Sequence, residues 1–88
     1  MTTFKNIAQL LKYSRKTRKM SQARLSSLLG YTSPQIVSNI ERGRCSLPLK
    51  QLDTIKNVLG LTPDTLINAI LADYRLTLQS TFKETLDI

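Results

Sequence analysis

Residues 20–43 read MSQARLSSLLGYTSPQIVSNIERG, and this stretch decides the fold. We expect two short helices joined by a tight glycine turn. Ser21 is a good cap for the first helix, because its hydroxyl can accept a hydrogen bond from a free backbone N–H of the first turn. Gly30 follows that helix, where a left-handed backbone costs little only for glycine. Ser33 and Pro34 suit the start of the second helix, as its cap and its first residue.

Three further helices are predicted around this pair, and together they make an all-α, compact five-helix bundle. The first covers residues 4–19, the fourth residues 48–59, and the last begins at Pro63 after the cap Thr62. With 88 residues, 41% of them apolar, the chain forms one small domain with its own core. The apolar residues expected to face inward on helices 2, 3 and 4 are Leu25, Leu28, Leu29, Val37, Ile40, Leu49, Leu52, Ile55 and Leu59.

Charge is distributed very unevenly along the chain. Residues 1–50 carry ten Lys or Arg against one acid, a net charge of +9, whereas residues 51–88 carry three against five, a net charge of −2. A polycation joined to a near-neutral half favours a polyanionic partner. The alternative is that the basic half serves only solubility.

Several classes of protein are disfavoured by what the sequence lacks. A single cysteine, Cys45, excludes an intramolecular disulfide, and with no histidine we expect no metal site and no cofactor. The sequence has no signal-peptide core and no apolar run near the roughly 20 residues of a membrane span, so we expect a cytoplasmic protein without membrane contact. Cys45 has no histidine partner to activate it, so we expect no enzyme; a small residue filling the junction of helices 3 and 4 is the better interpretation.

The third helix carries an unusual outer face. At 100° per residue, Val37 and Ile40 point to the core, so the opposite face holds polar residues with neither Lys nor Glu before Ile40. Glutamine and asparagine can pair bidentately with adenine in the major groove, and an isoleucine can contact a thymine methyl. The alternative is an ordinary solvated helix face. We therefore predict a DNA-reading helix whose base-contacting residues include Gln35, Ile36, Ser38 and Asn39.

Residues around this helix are candidates to hold the DNA backbone. Gln22 opens helix 2, where an amide and the positive end of a helix can bind a phosphate together. The predicted phosphate contacts are Gln22, Ser33, Arg42, Arg44, Lys50, Arg18 and Lys19. Glu41, the only acid of the basic half, would weaken DNA binding unless it were neutralised. We therefore predict a structural salt bridge between Arg15 and Glu41.

Tyr74, Leu78, Phe82 and Leu86 recur every four residues beyond the expected five-helix core. We expect residues 1–72 to form the DNA-binding domain and residues 73–88 a C-terminal helical extension. That segment either lengthens helix 5 or makes a sixth helix. Its apolar stripe is a candidate dimerisation or partner surface, and the alternative is a tail folded back onto its own domain.

The residues from Met20 to Gly30, followed by VSNIERG at residues 37–43, resemble the phage repressor and Cro-like helix-turn-helix family, also called the XRE type. The resemblance covers residues 7–70 and implies a five-helix, lambda-repressor-like bundle in which helices 2 and 3 bind DNA. Between Gly30 and Glu41 this chain has one residue more than the commonest form, which lengthens the turn.

The resemblance also assigns roles to particular residues. It implies that Gln22 binds a phosphate and that Pro34, Gln35 and Asn39 occupy base-reading positions. The function it implies is a sequence-specific, double-stranded DNA-binding transcriptional regulator, most often a repressor acting as a homodimer. The alternative is an antitoxin-like or other protein-interaction module that docks a protein partner on the C-terminal apolar stripe.

Overall fold

Residues 4–86 form five α-helices and no strand in the computed structural model, which describes side chains through residue 83. The five-helix, all-α prediction is confirmed. The helices are α1 (Lys5–Thr17), α2 (Gln22–Leu28), α3 (Gln35–Glu41), α4 (Leu52–Leu59) and α5 (Pro63–Leu86). A short 3-10 turn, Leu49–Gln51, precedes α4.

The core lies where the five helices meet, with α1 packed against both α3 and α5, and α2 packed against α3. Each fully buried aliphatic side chain stabilises the fold by about 1.5–3 kcal/mol relative to its exposed state. The buried apolar cluster consists of Ile7, Leu11, Leu25, Leu29, Val37, Ile40, Leu47, Ile55, Leu59 and Leu66. Every helix therefore contributes to one core, which fixes α2 and α3 relative to the rest of the domain.

Two residues expected to face inward do not. Leu49 is 78% exposed, because the chain before α4 forms a 3-10 turn after extended Pro48 rather than the first turn of an α-helix. Leu47 takes the buried position instead. Leu28 is 37% exposed, since α2 has only seven residues and Leu25 and Leu29 complete its inward face. These two inward predictions were wrong.

The last helix, α5, is a single helix of 24 residues. At 1.5 Å per residue it is about 36 Å long, which accounts for much of the 46 Å length of the molecule. It runs without a break through residues 72 and 73, where the extension was expected to begin. The segment therefore lengthens helix 5, and through residue 86 it neither forms a sixth helix nor folds back on the domain.

A buried carboxylate joins α5 to the start of α1. Asp73 is 2% exposed, and its oxygens accept hydrogen bonds from the backbone N–H of Asn6 at 2.9 Å and of Ile7 at 3.0 Å. The first turn of α1 has no acidic residue and no side-chain cap of its own. Asp73 therefore satisfies backbone donors that would otherwise be unpaired, and its charge suits the positive end of the helix.

Candidate nucleic-acid interface

The turn between α2 and α3 begins as the sequence predicts. Ser21 Oγ accepts a hydrogen bond from Arg24 N at 3.0 Å and caps α2. Gly30 has a φ of +88° after the end of α2, a conformation that glycine adopts without steric cost. Ser33 Oγ accepts a hydrogen bond from Gln35 N at 3.3 Å. The serine proposed to contact a phosphate therefore also holds the first turn of α3.

The third helix presents the face that its spacing predicts. Val37 and Ile40 are fully buried, which anchors α3 in the core. On the other side, Gln35 is exposed and Asn39 is half-buried. Of the remaining candidates for base contact, Pro34 is exposed, Ser38 is half-buried, and Ile36 is half-buried against the core.

Gln35 and Asn39 are linked to each other. Gln35 Nε2 donates a hydrogen bond to Asn39 Oδ1 at 3.0 Å, across one turn of α3. This bond fixes both amide planes and leaves the Gln35 carbonyl oxygen as an acceptor and the Asn39 N–H groups as donors. The pair therefore presents a defined pattern of donors and acceptors, which is what direct readout of a base edge requires. Their spacing of four residues was the signal for this contact.

The longer turn adds residues that sequence analysis did not select. Tyr31 and Thr32 line a shallow cavity of about 290 Å³ together with Ser33, Gln35, Ile36 and Asn39. Because this cavity runs from the turn onto the outer face of α3, a ligand that fills it contacts both the two amides and the turn. The extra residue between Gly30 and Glu41 was the only hint of this feature in the sequence.

The turn is tied to the segment before α4 by Gln51. Its Nε2 donates to the carbonyl oxygen of Leu29 at 3.0 Å and lies 3.5 Å from the Tyr31 hydroxyl. The turn is therefore stabilised by a side chain that belongs to neither α2 nor α3. A braced loop suits a binding surface, since less entropy is lost when it engages a partner.

A buried ion pair fixes the three N-terminal helices together. Arg15 Nε donates to Glu41 Oε2 at 2.6 Å and Arg15 Nη2 donates to Glu41 Oε1 at 2.9 Å, with side chains only 9% and 3% exposed. Arg15 Nη1 also donates to the Met20 carbonyl oxygen at 2.7 Å. The salt bridge predicted from the lone acid is confirmed. The hydrogen bond with Glu41 raises the pKa of Arg15, against the opposing effect of burial.

Gln22 joins the same network. Its Nε2 donates to Glu41 Oε1 at 3.1 Å, so α2, α3 and α1 meet at one carboxylate. Gln22 was predicted to bind a phosphate, and its amide retains a second N–H that Glu41 does not use. The hydrogen bond with Glu41 orients this amide at the first residue of α2, beside the positive end of that helix.

The basic residues that were predicted to contact DNA phosphates differ in their surroundings. Arg42, Arg44 and Lys50 are exposed, at the end of α3 and in the segment that follows it. Arg18 places its guanidinium against Gly60, at the C-terminal end of α4, where the negative end of the helix favours a cation. Lys19 is exposed with a φ of +56°, a left-handed conformation that a non-glycine residue rarely adopts.

The stripe on α5 is exposed. Tyr74 and Phe82 are each 62% exposed and Leu78 is 40% exposed, while the side chain of Leu86 lies outside the described residues. Asp73, which immediately precedes the stripe, was not selected from the sequence, although it proves to be the buried link to α1. Only its position next to an apolar stripe could have pointed to it.

A group of metal-binding side chains and a membrane-spanning helix are both absent from the described part of the chain. Residues 4–83 contain no group of three His, Cys, Asp or Glu side chains able to hold a metal ion. No helix in the described range is both long and apolar enough to cross a membrane. Cys45 is half-buried and packs against the core, as expected for a residue filling the junction after α3.

Comparison with known proteins supports this geometry. A helix-turn-helix family model matches residues 11–66. A solved chain of FeII HppE in complex with substrate is 41% identical, with a TM-score of 0.62, and the match covers 70% of this chain and 36% of that one. A chain of CoII HppE in complex with substrate gives 41% identity, a TM-score of 0.63, and coverage of 74% and 36%. This chain thus spans about a third of the HppE chains that it matches.

A third solved structure is similar over nearly its whole length. The clp gene regulator ClgR from Corynebacterium glutamicum has a TM-score of 0.65 and 22% identity, with 97% of this chain and 90% of that chain covered. At that identity the likeness establishes a shared fold. No curated protein matches the sequence.

Proposed function

The chain belongs to the helix-turn-helix family, and we propose that it is a DNA-binding regulator that represses transcription by reading the major groove with α3 as a homodimer. The observation that carries this proposal is the coupled amide pair, Gln35 and Asn39, on the outer face of a helix anchored in the core. An occupied operator then blocks the polymerase. Such a regulator works beside the DNA, in the cytoplasm.

The charge distribution supports double-stranded DNA as the partner. Ten of the thirteen basic residues lie in residues 1–50, the half that contains α3 and its turn. Arg42 and Arg44 closely follow α3, Lys50 lies in the 3-10 turn before α4, and all three are exposed, so they are available to neutralise phosphates. Each phosphate neutralised releases counterions, and affinity for DNA should therefore fall steeply with salt.

The buried hydrogen bonds around Glu41 support the proposal that α3 is held rigidly for base readout. Arg15, Glu41 and Gln22 join α1, α3 and α2 at one point, and Gln51 braces the turn. Base readout requires side chains placed to within fractions of an ångström, since bidentate hydrogen bonds depend on angle as well as distance. A helix held by both apolar packing and a charged network meets that requirement.

The test begins with selection of bound sequences from a random duplex pool at about 150 mM salt. We expect a palindromic site. Gln35→Ala and Asn39→Ala should each lower affinity for that site by roughly 1–3 kcal/mol and relax its specificity. Because the two amides are hydrogen-bonded, the double variant should lose less than the sum of the two single losses.

Arg24→Ala is the matched control, since Arg24 is an exposed basic residue of α2 outside the proposed base contacts. Its effect should be similar on selected and random DNA. Equal losses on both DNAs for Gln35→Ala and Asn39→Ala would contradict base readout. If the protein binds DNA but no sequence motif is recovered, the proposed base readout is wrong and the binding is attraction to the DNA backbone alone.

The exposed α5 stripe favours a second candidate, a protein-interaction module. Tyr74 and Phe82 leave apolar surface open that a partner of another kind could cover. High salt discriminates between the two functions, because it releases DNA and strengthens apolar contacts. A partner protein retained at 1 M salt in place of a second copy of the chain would support this candidate.

A further inference from the structure

A cavity of about 310 Å³ lies between the start of α1, the segment after α3 and one face of α5. We call it the α1–α5 cavity. Its lining residues are Phe4, Ser46, Ile70, Asp73, Tyr74 and Thr77. The last four lie on one face of α5, because they are three or four residues apart along the helix. The DNA contacts predicted from the sequence include none of these six residues, so the cavity is separate from the surface around α3.

The carboxylate of Asp73 is a buried charge in the wall of this cavity, and it has no cationic partner. Asp73 Oδ1 accepts hydrogen bonds from Asn6 N at 2.9 Å and Asn6 Nδ2 at 3.0 Å, and Oδ2 accepts one from Ile7 N at 3.0 Å. Both ion pairs between described residues lie elsewhere, at Glu41 and Asp53. A carboxylate offers about four acceptor positions, so Oδ2 retains one for a further donor.

The other walls of the cavity are mainly aromatic and aliphatic. Phe4 and Ile70 are half-buried, whereas Tyr74 is 62% exposed and forms the solvent-accessible part of the wall. Thr77 Oγ1 donates to the carbonyl oxygen of Asp73 at 3.1 Å, so the hydroxyl hydrogen of Thr77 is already used within α5. Aromatic rings attract organic cations as well as apolar groups. An occupant therefore meets a negative charge at one end and carbon surface along its length.

We propose that the α1–α5 cavity binds a small organic amine in its ammonium form. The ammonium donates a hydrogen bond to Asp73 Oδ2, and the carbon body of the amine contacts Phe4, Ile70 and Tyr74. An anion is disfavoured, because it is repelled by the buried carboxylate. A metal ion is disfavoured as well, since the described residues provide no group of three metal-binding side chains. Water can reach the open acceptor position, but it gains nothing from the apolar walls.

The volume of the cavity sets the size of the amine. A water molecule takes about 30 Å³ of liquid volume, and at that volume per non-hydrogen atom the cavity holds about ten such atoms. 2-Phenylethylamine lies within this limit and combines an ammonium with an aromatic ring on a short chain. For a ligand of this size we expect a dissociation constant on the order of 1 mM.

Titration of the ¹⁵N-labelled protein with 2-phenylethylamine at neutral pH, followed by NMR, tests the site. The largest shifts should occur at the backbone amides of Asn6, Ile7 and Ser46 and in residues 70–77. 2-Phenylethanol is the neutral counterpart of similar size, and it should bind about tenfold more weakly or worse, because a hydrogen bond to a charged group contributes that much or more. The net charge of the protein is +7, so its overall field repels the amine and does not favour it over the alcohol.

Three variants separate the carboxylate from the cavity. Asp73→Asn should weaken binding of the amine at least tenfold and change binding of the alcohol less than twofold. Asp64→Asn is the matched control, since it removes the same charge from an exposed position in the first turn of α5, and it should change neither. Thr77→Leu adds bulk to the wall, suits a helix and leaves the Asp73 carboxylate in place, so it should weaken binding of both ligands at least tenfold.

Equal affinity of the native protein for the amine and the alcohol would overturn the role of Asp73, and so would equal losses in Asp73→Asn and Asp64→Asn. Shifts at residues outside the cavity, or full binding by Thr77→Leu, would overturn the site itself. Because the ligand comparison and the Thr77→Leu variant keep the cap of α1, they decide the proposal even if Asp73→Asn does not fold. The absence of any shift up to about 20 mM amine, well above the expected dissociation constant, would also refute it.

Discussion

Glu41→Gln is the substitution that most directly tests how α3 is held. It keeps the shape of the side chain and removes its charge. Arg15 then faces a neutral amide, although its side chain is only 9% exposed. A guanidinium stays protonated in proteins even without an acidic partner, because its ordinary pKa is far above any accessible pH. The variant therefore contains a buried, uncompensated cation.

The structure sets the size of the expected loss. Glu41 accepts hydrogen bonds from Arg15 at 2.6 and 2.9 Å and from Gln22 at 3.1 Å. An amide nitrogen in place of one oxygen turns one of these contacts into a clash of donors. Breaking a buried ion pair by removing one partner costs about 3–5 kcal/mol. The free energy of unfolding of a small domain is only about 5–15 kcal/mol, so the variant should be close to unfolding.

Urea denaturation followed by circular dichroism measures the effect. The matched control is Asp53→Asn, which breaks the exposed pair between Asp53 and Lys56, where the aspartate side chain is 82% exposed. An exposed pair is worth about 0–1 kcal/mol. If Glu41→Gln leaves too little folded protein to measure, the double variant Arg15→Met, Glu41→Leu should recover at least half of the loss, because it removes both buried charges.

A loss below about 1 kcal/mol for Glu41→Gln, similar to the Asp53→Asn control, would refute the reasoning. So would a double variant that is less stable than either single one. The first result would mean that apolar packing through Val37 and Ile40 is sufficient to hold α3, and the second would mean that the loss does not come from an unpaired buried charge.

Three further outcomes can be measured on single variants. Asp73→Asn removes the charge that caps α1 and should lower the free energy of unfolding by about 1–3 kcal/mol, whereas no change in a urea titration would mean that water replaces the cap. Lys19→Gly should raise stability by about 1 kcal/mol, because it relieves a left-handed lysine at φ +56°; an unchanged melting temperature would argue against that strain. Arg44→Ala should weaken binding to all DNA alike and reduce the slope of log K against log salt by about one, and a loss confined to the selected sequence would contradict a phosphate contact.

Local features of the fold could be predicted because they depend on neighbouring residues. The caps at Ser21 and Thr62 are visible in the sequence, and both hydroxyls accept the expected backbone hydrogen bond. The buried positions of Val37 and Ile40 follow from a three-residue spacing within one short helix. The outer face of α3 follows from the same spacing, because a helix that buries one side must present the other.

The wrong assignments of buried residues before α4 arose where the backbone changes from α-helix to 3-10 geometry and the spacing of inward-facing residues changes with it. Leu49 was assigned to a helix because it is apolar and precedes Leu52 by three residues, but the residues after Pro48 form a 3-10 turn and leave Leu49 exposed. A pattern of apolar residues cannot distinguish a 3-10 turn from the start of an α-helix over so few positions. Leu47 was overlooked for the same reason, since it belongs to no periodic segment.

The sequence by itself determined the five helices, the basic half and the polar face of α3, because propensity, charge and periodicity are properties of short segments. It also predicted the bond between Arg15 and Glu41, since a lone acid among cations needs a partner. Only the tertiary structure decided that Asp73 caps a helix 67 residues away in sequence and that Gln51 braces the α2–α3 turn. Such contacts depend on how helices distant along the chain are packed, and no local pattern encodes that arrangement.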